Sequence, residues 1–245
     1  MNVVYEPKGR AREYSELACN LYRGCTHGCR YCYAPACMHT TAEKWHATAE
    51  PRPDVLKNLD KDAEKLRGDS RRILFCFSSD PYQPLERVEQ LTHKALKIIA
   101  KHRLNSQVLT KGCADLIQKD LGLMKDARTQ LGVTLCFADD ALRKSWEPHA
   151  STVEERFAVL KAAHKAGIFT WVSLEPVIDP AQALEVIRIA DPYVNFWKVG
   201  KLNHMKEYER AVNWGKFLSD VDLLLSKLNA QYYIKNDLRS FAIKQ

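Results

Sequence analysis

Glycine and proline are scarce, at ten each in 245 residues, and no segment is biased toward one residue type. That excludes collagen-like repeats and the low-complexity, disordered class. No internal repeat of fixed length and no Gly-, Pro- or Ser-rich linker interrupts the chain. One domain spanning 1–245 is the economical expectation, since barrels of about 200–250 residues commonly form a single unit. No run approaches the roughly 18 consecutive apolar residues of a membrane helix, and residues 1–12 are too polar for a signal peptide. We therefore expect a cytoplasmic protein with no membrane partner.

Charge is not strongly one-sided. Lys and Arg number 37 against 30 Asp and Glu, a net +7. This mild excess favours an anionic partner such as nucleic acid without requiring one. The basic residues are scattered in short clusters such as Arg71-Arg72 and Lys101-His102-Arg103, which read as solvated surface.

What the chain does hold is cysteine in one place. Of eight cysteines, five fall between Cys19 and Cys37. In a reducing compartment, metal binding or catalysis explains such clustering better than disulfides do.

Beyond the cysteines, short β-type runs alternate with amphipathic helical runs, as in a parallel sheet wrapped by helices. Strands are expected at 71–79, 106–110, 132–137, 169–174 and 193–199. A weaker first strand covers 17–22, and 231–234 is an optional late one. Apolar spacing marks helices over 53–68, 88–99, 151–167 and from Asp179-Pro180 onward, with Ser151 and Glu154 as a capping box and Gly167 as an αL end. A long helix, Met205 to Leu228, is expected to dock over the end of the sheet. Six such βα units suit a partial (β/α)6 barrel, in which ligands bind at the carboxyl ends of the strands.

Directly after the first strand, Gly24-Cys25-Thr26-His27-Gly28-Cys29-Arg30-Tyr31-Cys32-Tyr33 spaces three cysteines as C-x3-C-x2-C. One loop of this kind can wrap an inorganic cube and give a thiolate to each of three irons of a [4Fe–4S] cluster, leaving the fourth open. A structural zinc site is the alternative, with Cys25, Cys29 and Cys32 joined by His27, Cys37 or His39 in a nucleic-acid or protein-binding module. Such sites usually pair two near ligands with two far ones.

The CxxxCxxC spacing with Tyr31 and Tyr33 flanking Cys32 resembles the radical S-adenosylmethionine enzymes. LYRGCTHGCRYCYA with SSDPYQPLE after the second strand is similar to the branch related to spore photoproduct lyase, often labelled DNA repair photolyase-like. The resemblance runs from about Leu17 to Asn203. It implies a partial TIM-type barrel, a [4Fe–4S] cluster on Cys25, Cys29 and Cys32, and S-adenosylmethionine on the open iron. One electron, from an external donor such as flavodoxin or ferredoxin, would yield a 5′-deoxyadenosyl radical that abstracts hydrogen from a nucleic acid, a nucleotide, a peptide or a small metabolite.

It also implies cofactor-binding roles by position. Ser78, Ser79 and Asp80 end the second strand, where family members contact the methionine amino group or the ribose. Lys111 is placed for the cofactor carboxylate, Arg156 for a second such charge, and Glu175 for the ribose or substrate. Tyr31 and Tyr33 would pack on the adenine or the cluster. The lyase carries a cysteine just before its Ser-Asp, where this chain has Phe77; Cys76 is one position off and so on the opposite strand face. Only 24 residues precede Cys25, fewer than in the lyase, so thymine-dimer repair is not implied.

Overall fold

A computed structural model describes residues 2–242. Its strands are β1 (Val4–Tyr5), β2 (Leu17–Cys19), β3 (Tyr22–Arg23), β4 (Glu50–Pro51), β5 (Arg72–Phe75), β6 (Asn105–Thr110), β7 (Thr129–Thr134), β8 (Thr170–Val177), β9 (Phe196–Lys201) and β10 (Tyr232–Ile234). The helices are α1 (Ala34–Cys37), α2 (Ala42–Ala47), α3 (Val55–Lys65), α4 (Glu86–Glu89), α5 (Leu91–His102), α6 (Ala114–Asp126), α7 (Asp140–Trp146), α8 (Val153–Lys165), α9 (Pro180–Ala190), α10 (Lys206–Ala211), α11 (Trp214–Lys227) and α12 (Asn236–Arg239).

Eight strands form one sheet in the order β1-β2-β5-β6-β7-β8-β9-β10, parallel from β2 to β10 with β1 antiparallel at the edge. Each new parallel strand adds on the same side of the last. This is the progression of a barrel wall; a doubly wound sheet would reverse its order at a switch point. The short antiparallel β3–β4 pair lies apart and brackets the segment that holds the cysteine loop.

Alternation along the strands sorts the two faces. Val172 and Leu174 of β8 and Trp197 and Val199 of β9 belong to the apolar layer under the helices. Trp171, Ser173, Glu175, Lys198 and Gly200 therefore face inward. Gly132 of β7 is required there, because a Cβ would lie 2.2 Å from the Trp171 indole. A Cβ on Gly200 would sit 2.7 Å from the Glu175 carboxyl carbon.

The marked helices form where expected, with instructive shifts. In α3, Val55, Leu59 and Ala63 are buried. Asp62 breaks that stripe because its carboxylate accepts the N–H groups of Val3 (2.7 Å) and Val4 (3.2 Å), pinning β1. The capping box of α8 is Thr152 with Glu155 rather than Ser151 with Glu154. The Ser151 hydroxyl is already committed, donating to the Gly112 carbonyl at 2.5 Å.

The expected helix 205–228 is two helices, α10 and α11. Asn213 interrupts it by accepting from the Lys216 N–H at 3.0 Å as the cap of α11. α6 and α7 are helices the periodicity did not mark. In α6 the buried Asp120 and a mid-helix Gly122 dilute the apolar stripe.

Strand ends also move. The expected 71–79 strand ends at Phe75 and the 132–137 strand runs 129–134. Residues 17–22 split between β2 and β3. The late strand is present as β10, parallel to β9. No described helix is long and apolar enough to cross a membrane.

Candidate cofactor site at the carboxyl ends of the strands

The C-x3-C-x2-C loop leaves the sheet after β2 and β3 and is held by backbone and side-chain contacts from distant segments. Cys25 N–H donates to the Trp45 carbonyl (3.2 Å) and Arg30 N–H to the Trp146 carbonyl (2.9 Å). His46 Nδ1 lies 2.7 Å from the Cys25 carbonyl. Buried Gln83 stitches the loop to the β5 end: its amide donates to the Gly24 carbonyl and its oxygen accepts from Thr26 N–H, both at 3.3 Å. Gly24, at φ +80°, passes so close to the Thr48 carbonyl that a Cβ would lie 2.1 Å from it.

Cys25 and Cys29 are buried and Cys32 is half-buried. Burial, with the Asp80 charge added, pushes the Cys25 thiol up to about 12, and burial likewise pushes Cys29 and Cys32 upward. Such thiols are protonated at neutral pH and need a metal to become thiolates. Beside them burial disfavours the Lys111 charge, but the Cys29 sulfur once ionised, Glu147 and Asp80 outweigh it and raise its pKa. Among the described residues no carboxylate lies within ion-pair distance of Lys111, and its Nζ sits 6.0 Å from the centre of the Tyr31 ring.

The other predicted positions divide into two groups. Ser78 is buried and its hydroxyl has no partner. Tyr33, largely exposed, donates to the neighbouring Phe77 carbonyl at 2.6 Å, which sets it beside Ser78. These two, with Tyr31 and Lys111, surround the cysteine loop.

Ser79, Asp80, Arg156 and Glu175 make hydrogen bonds or ion pairs within the protein. The Ser79 hydroxyl donates to the Tyr22 carbonyl at 3.4 Å. Asp80 clamps two strand ends, accepting from Tyr82 N–H (2.9 Å), the Thr110 hydroxyl (2.6 Å) and Lys111 N–H (2.8 Å). Arg156 pairs with Glu147 at 2.5 Å in the interior and donates to the Thr134 carbonyl at 3.1 Å. Glu175 accepts two bonds from Lys235, at 2.7 and 2.9 Å, and one from the Tyr14 hydroxyl.

Glu147 escaped the sequence analysis. It follows the unmarked helix α7, is fully buried, and also accepts the Tyr31 hydroxyl. Burial alone would raise its carboxyl pKa; Arg156, Lys111 and Tyr31 reverse that and hold it below the usual range. Glu147 thus fixes the aromatic that precedes Cys32. Tyr14 was missed as well, and no local signal marks either one.

His27 is buried with its Nδ1 3.6 Å from Asp80 Oδ2, and burial brings its imidazole down to about 4. Cys37 ends α1 in solvent and His39 is exposed beyond it. Among the described residues, no three His, Cys, Asp or Glu side chains converge on a single-ion site. Cys76 is buried in the layer under the helices and its sulfur accepts the Leu21 N–H at 3.4 Å.

A barrel-like parallel sheet with a three-thiol loop at its carboxyl end, an unpartnered buried hydroxyl and an unpaired ammonium defines a cofactor-dependent site. The donor set suits a sulfur-ligated cluster with a polar ligand next to it. The model of the radical SAM superfamily matches residues 19–190, and the chain belongs to that family. It is 32% identical over 190 residues to an uncharacterized protein of Methanocaldococcus jannaschii, covering 75% of this chain and 69% of the relative.

Among solved structures, a spore photoproduct lyase complexed with dinucleoside spore photoproduct superposes with TM-score 0.67 at 14% identity, over 94% of this chain and 79% of the other. A radical SAM methyltransferase from Sphaerobacter thermophilus gives TM-score 0.61 at 16% identity, over 89% and 65%. The fold is the partial barrel of this family.

Proposed function

We propose that this chain binds a [4Fe–4S] cluster through Cys25, Cys29 and Cys32 and S-adenosylmethionine beside it, and abstracts hydrogen from a nucleic acid or nucleotide. The observation that carries the reading is the three-cysteine loop flanked by the unpartnered Ser78 hydroxyl and the unpaired Lys111 ammonium. When bound, these groups supply a 5′-deoxyadenosyl radical after one-electron reduction by a donor such as flavodoxin or ferredoxin.

The protein's own part is to bind, orient and shield. The three thiols lose their protons on taking up iron, and Lys111 then offsets part of the negative charge gathered in a poorly solvated loop. Lys111 is also the cation for the carboxylate of S-adenosylmethionine, and the Ser78 hydroxyl accepts from its amino group. Tyr31, locked by Glu147 and Arg156, presents a fixed aromatic wall. Tyr33 covers the outer side, where its exposed ring excludes water once a ligand packs against it.

The net charge of +7 supports an anionic substrate, as does the likeness to a lyase bound to a dinucleoside. The test is anaerobic. Iron and sulfide are reconstituted, dithionite and S-adenosylmethionine are added, and 5′-deoxyadenosine is quantified beside a Cys25→Ala/Cys29→Ala/Cys32→Ala variant. Formation by the parent alone is expected, increased by oligonucleotides. A cluster-loaded parent that forms none with any substrate class would overturn the cofactor assignment. Stimulation by peptides or small metabolites but not by oligonucleotides would overturn the substrate.

A further inference from the structure

The end of the barrel opposite the cysteines is not closed. A cavity of about 540 Å³ opens at the amino ends of the strands, within the size range of small-molecule sites. Its wall includes Arg72 at the start of β5, Gln130 of β7, Trp171 of β8, Lys198 of β9, and Phe169 and Phe196. Tyr14 separates it from the cluster side: its ring packs on Trp171 at 6.1 Å and Phe77 at 6.2 Å, and its hydroxyl reaches Ser173 and Glu175.

Two cations here are oriented by carbonyls rather than neutralised. Lys198 Nζ donates to the carbonyls of Glu13 (3.1 Å) and Tyr14 (2.9 Å). Arg72 donates to those of Ser106 (3.4 Å) and Arg128 (3.0 Å). Among the described residues neither has a carboxylate within ion-pair distance, whereas Arg71 at the rim is paired with Asp69 and Glu6. Glu13 and Glu16 also line the wall: Glu13 accepts from the Tyr233 hydroxyl (2.9 Å) and Asn236 N–H (3.0 Å), and Glu16 is exposed.

Burial, with the neighbouring Lys235 charge adding to it, brings the Lys198 ammonium down to about 8 against the opposing pull of the Glu13 and Glu175 carboxylates. The side-chain amide of Gln130 makes no hydrogen bond within the described residues, and the buried Trp171 indole N–H has no acceptor. Two preset cations, the free Gln130 amide and the Phe169, Trp171 and Phe196 walls match a ligand that is both anionic and flat.

We propose that this cavity is a second binding site, separate from the cluster site, for a small organic anion carrying an aromatic or heteroaromatic ring, its charge taken by Lys198 and Arg72. Phenyl phosphate is the probe, titrated calorimetrically into the full chain at pH 7, with inorganic phosphate and benzyl alcohol as the two halves of the ligand.

Saturable one-to-one binding of phenyl phosphate is expected, stronger than either half. Lys198→Met and Arg72→Gln should each weaken it by about tenfold, Lys198→Arg should retain it, and Gln130→Ala provides a folded variant in which no internal hydrogen bond is lost. The Cys25→Ala/Cys29→Ala/Cys32→Ala protein should bind as the parent does, which separates this site from the cofactor reading. No saturable binding, binding indifferent to Lys198 and Arg72 in correctly folded variants, or binding lost with the three cysteines would each overturn the proposal.

Discussion

Removing one partner of the Arg156–Glu147 pair is the sharpest perturbation the interior offers. Their side chains are 2% and 0% exposed, and Glu147 also holds the Tyr31 hydroxyl next to Cys32. Arg156→Met leaves a carboxylate buried without its main counter-charge, a change that costs about 3–5 kcal/mol when a buried pair is broken from one side. With about 2.1 cal/mol/K of unfolding entropy per residue, 245 residues convert this to a fall of about 6–10 °C in Tm.

Replacing both charges should cost much less, because Glu147→Gln with Arg156→Met keeps an acceptor for Tyr31 and leaves no buried charge behind. The assay is thermal unfolding by far-UV circular dichroism on anaerobically reconstituted protein, with iron content measured beside it. Iron content should drop in the single variant and recover in the double. If the double variant is as unstable as the single, the loss is one of packing and the electrostatic reasoning is refuted.

Further outcomes follow from the same contacts. Ser78→Ala and Lys111→Met should each weaken equilibrium binding of S-adenosylmethionine to the cluster-loaded protein by about tenfold, with iron content kept in Ser78→Ala; unchanged binding in both would remove them from the site. Gly24→Ala should lower iron incorporation, since its Cβ would meet the Thr48 carbonyl at 2.1 Å and the position needs a positive φ; full iron loading would show that the loop can shift. Lys198 has a folded pKa near 8, below its ordinary value of 10.5. The unfolded chain therefore binds more protons between those values, and stability should rise with pH across that window. Lys198→Met should flatten that rise in urea titrations, and an unchanged slope would contradict the assignment. Glu147 titrates in the same sense in the acid range: its depressed folded pKa gives stability present above 4.5 and lost as pH falls through the folded value. Acid unfolding of Glu147→Gln should be shallower than that of the parent.

Much of the architecture was legible because it is written locally. Apolar residues three and four apart bury one face of α3 and α8 wherever they pack, and β-branched and aromatic runs pair whichever neighbour they find. Where local rules compete, the expectation shifted by a residue or failed. Ser151 satisfies the capping-box pattern with Glu154 as well as Thr152 does with Glu155, and the Gly112 carbonyl decides between them by taking the Ser151 hydroxyl. Asn213 is both a tolerable helix residue and a good cap, and in this fold it caps. α6 was obscured because Asp120 serves Tyr82 and His93, at 2.9 and 2.7 Å, rather than its own helix.

The sequence by itself determined the parallel α/β alternation, and it placed three cysteines in a spacing that one short loop can turn toward a cluster, because ligand spacing within eight residues depends on little else. Tertiary structure alone decided which charges are spent and which are free. Asp80 became a clamp, Arg156 the partner of Glu147 and Glu175 the partner of Lys235, while Lys111 and Lys198 were left without a carboxylate at ion-pair distance and the Ser78 hydroxyl without a hydrogen bond. The physical reason is reach: Tyr31 meets Glu147 across 116 residues and Tyr14 meets Glu175 across 161. Contacts at such separations follow from how the strands are ordered, and no local pattern of residues encodes them.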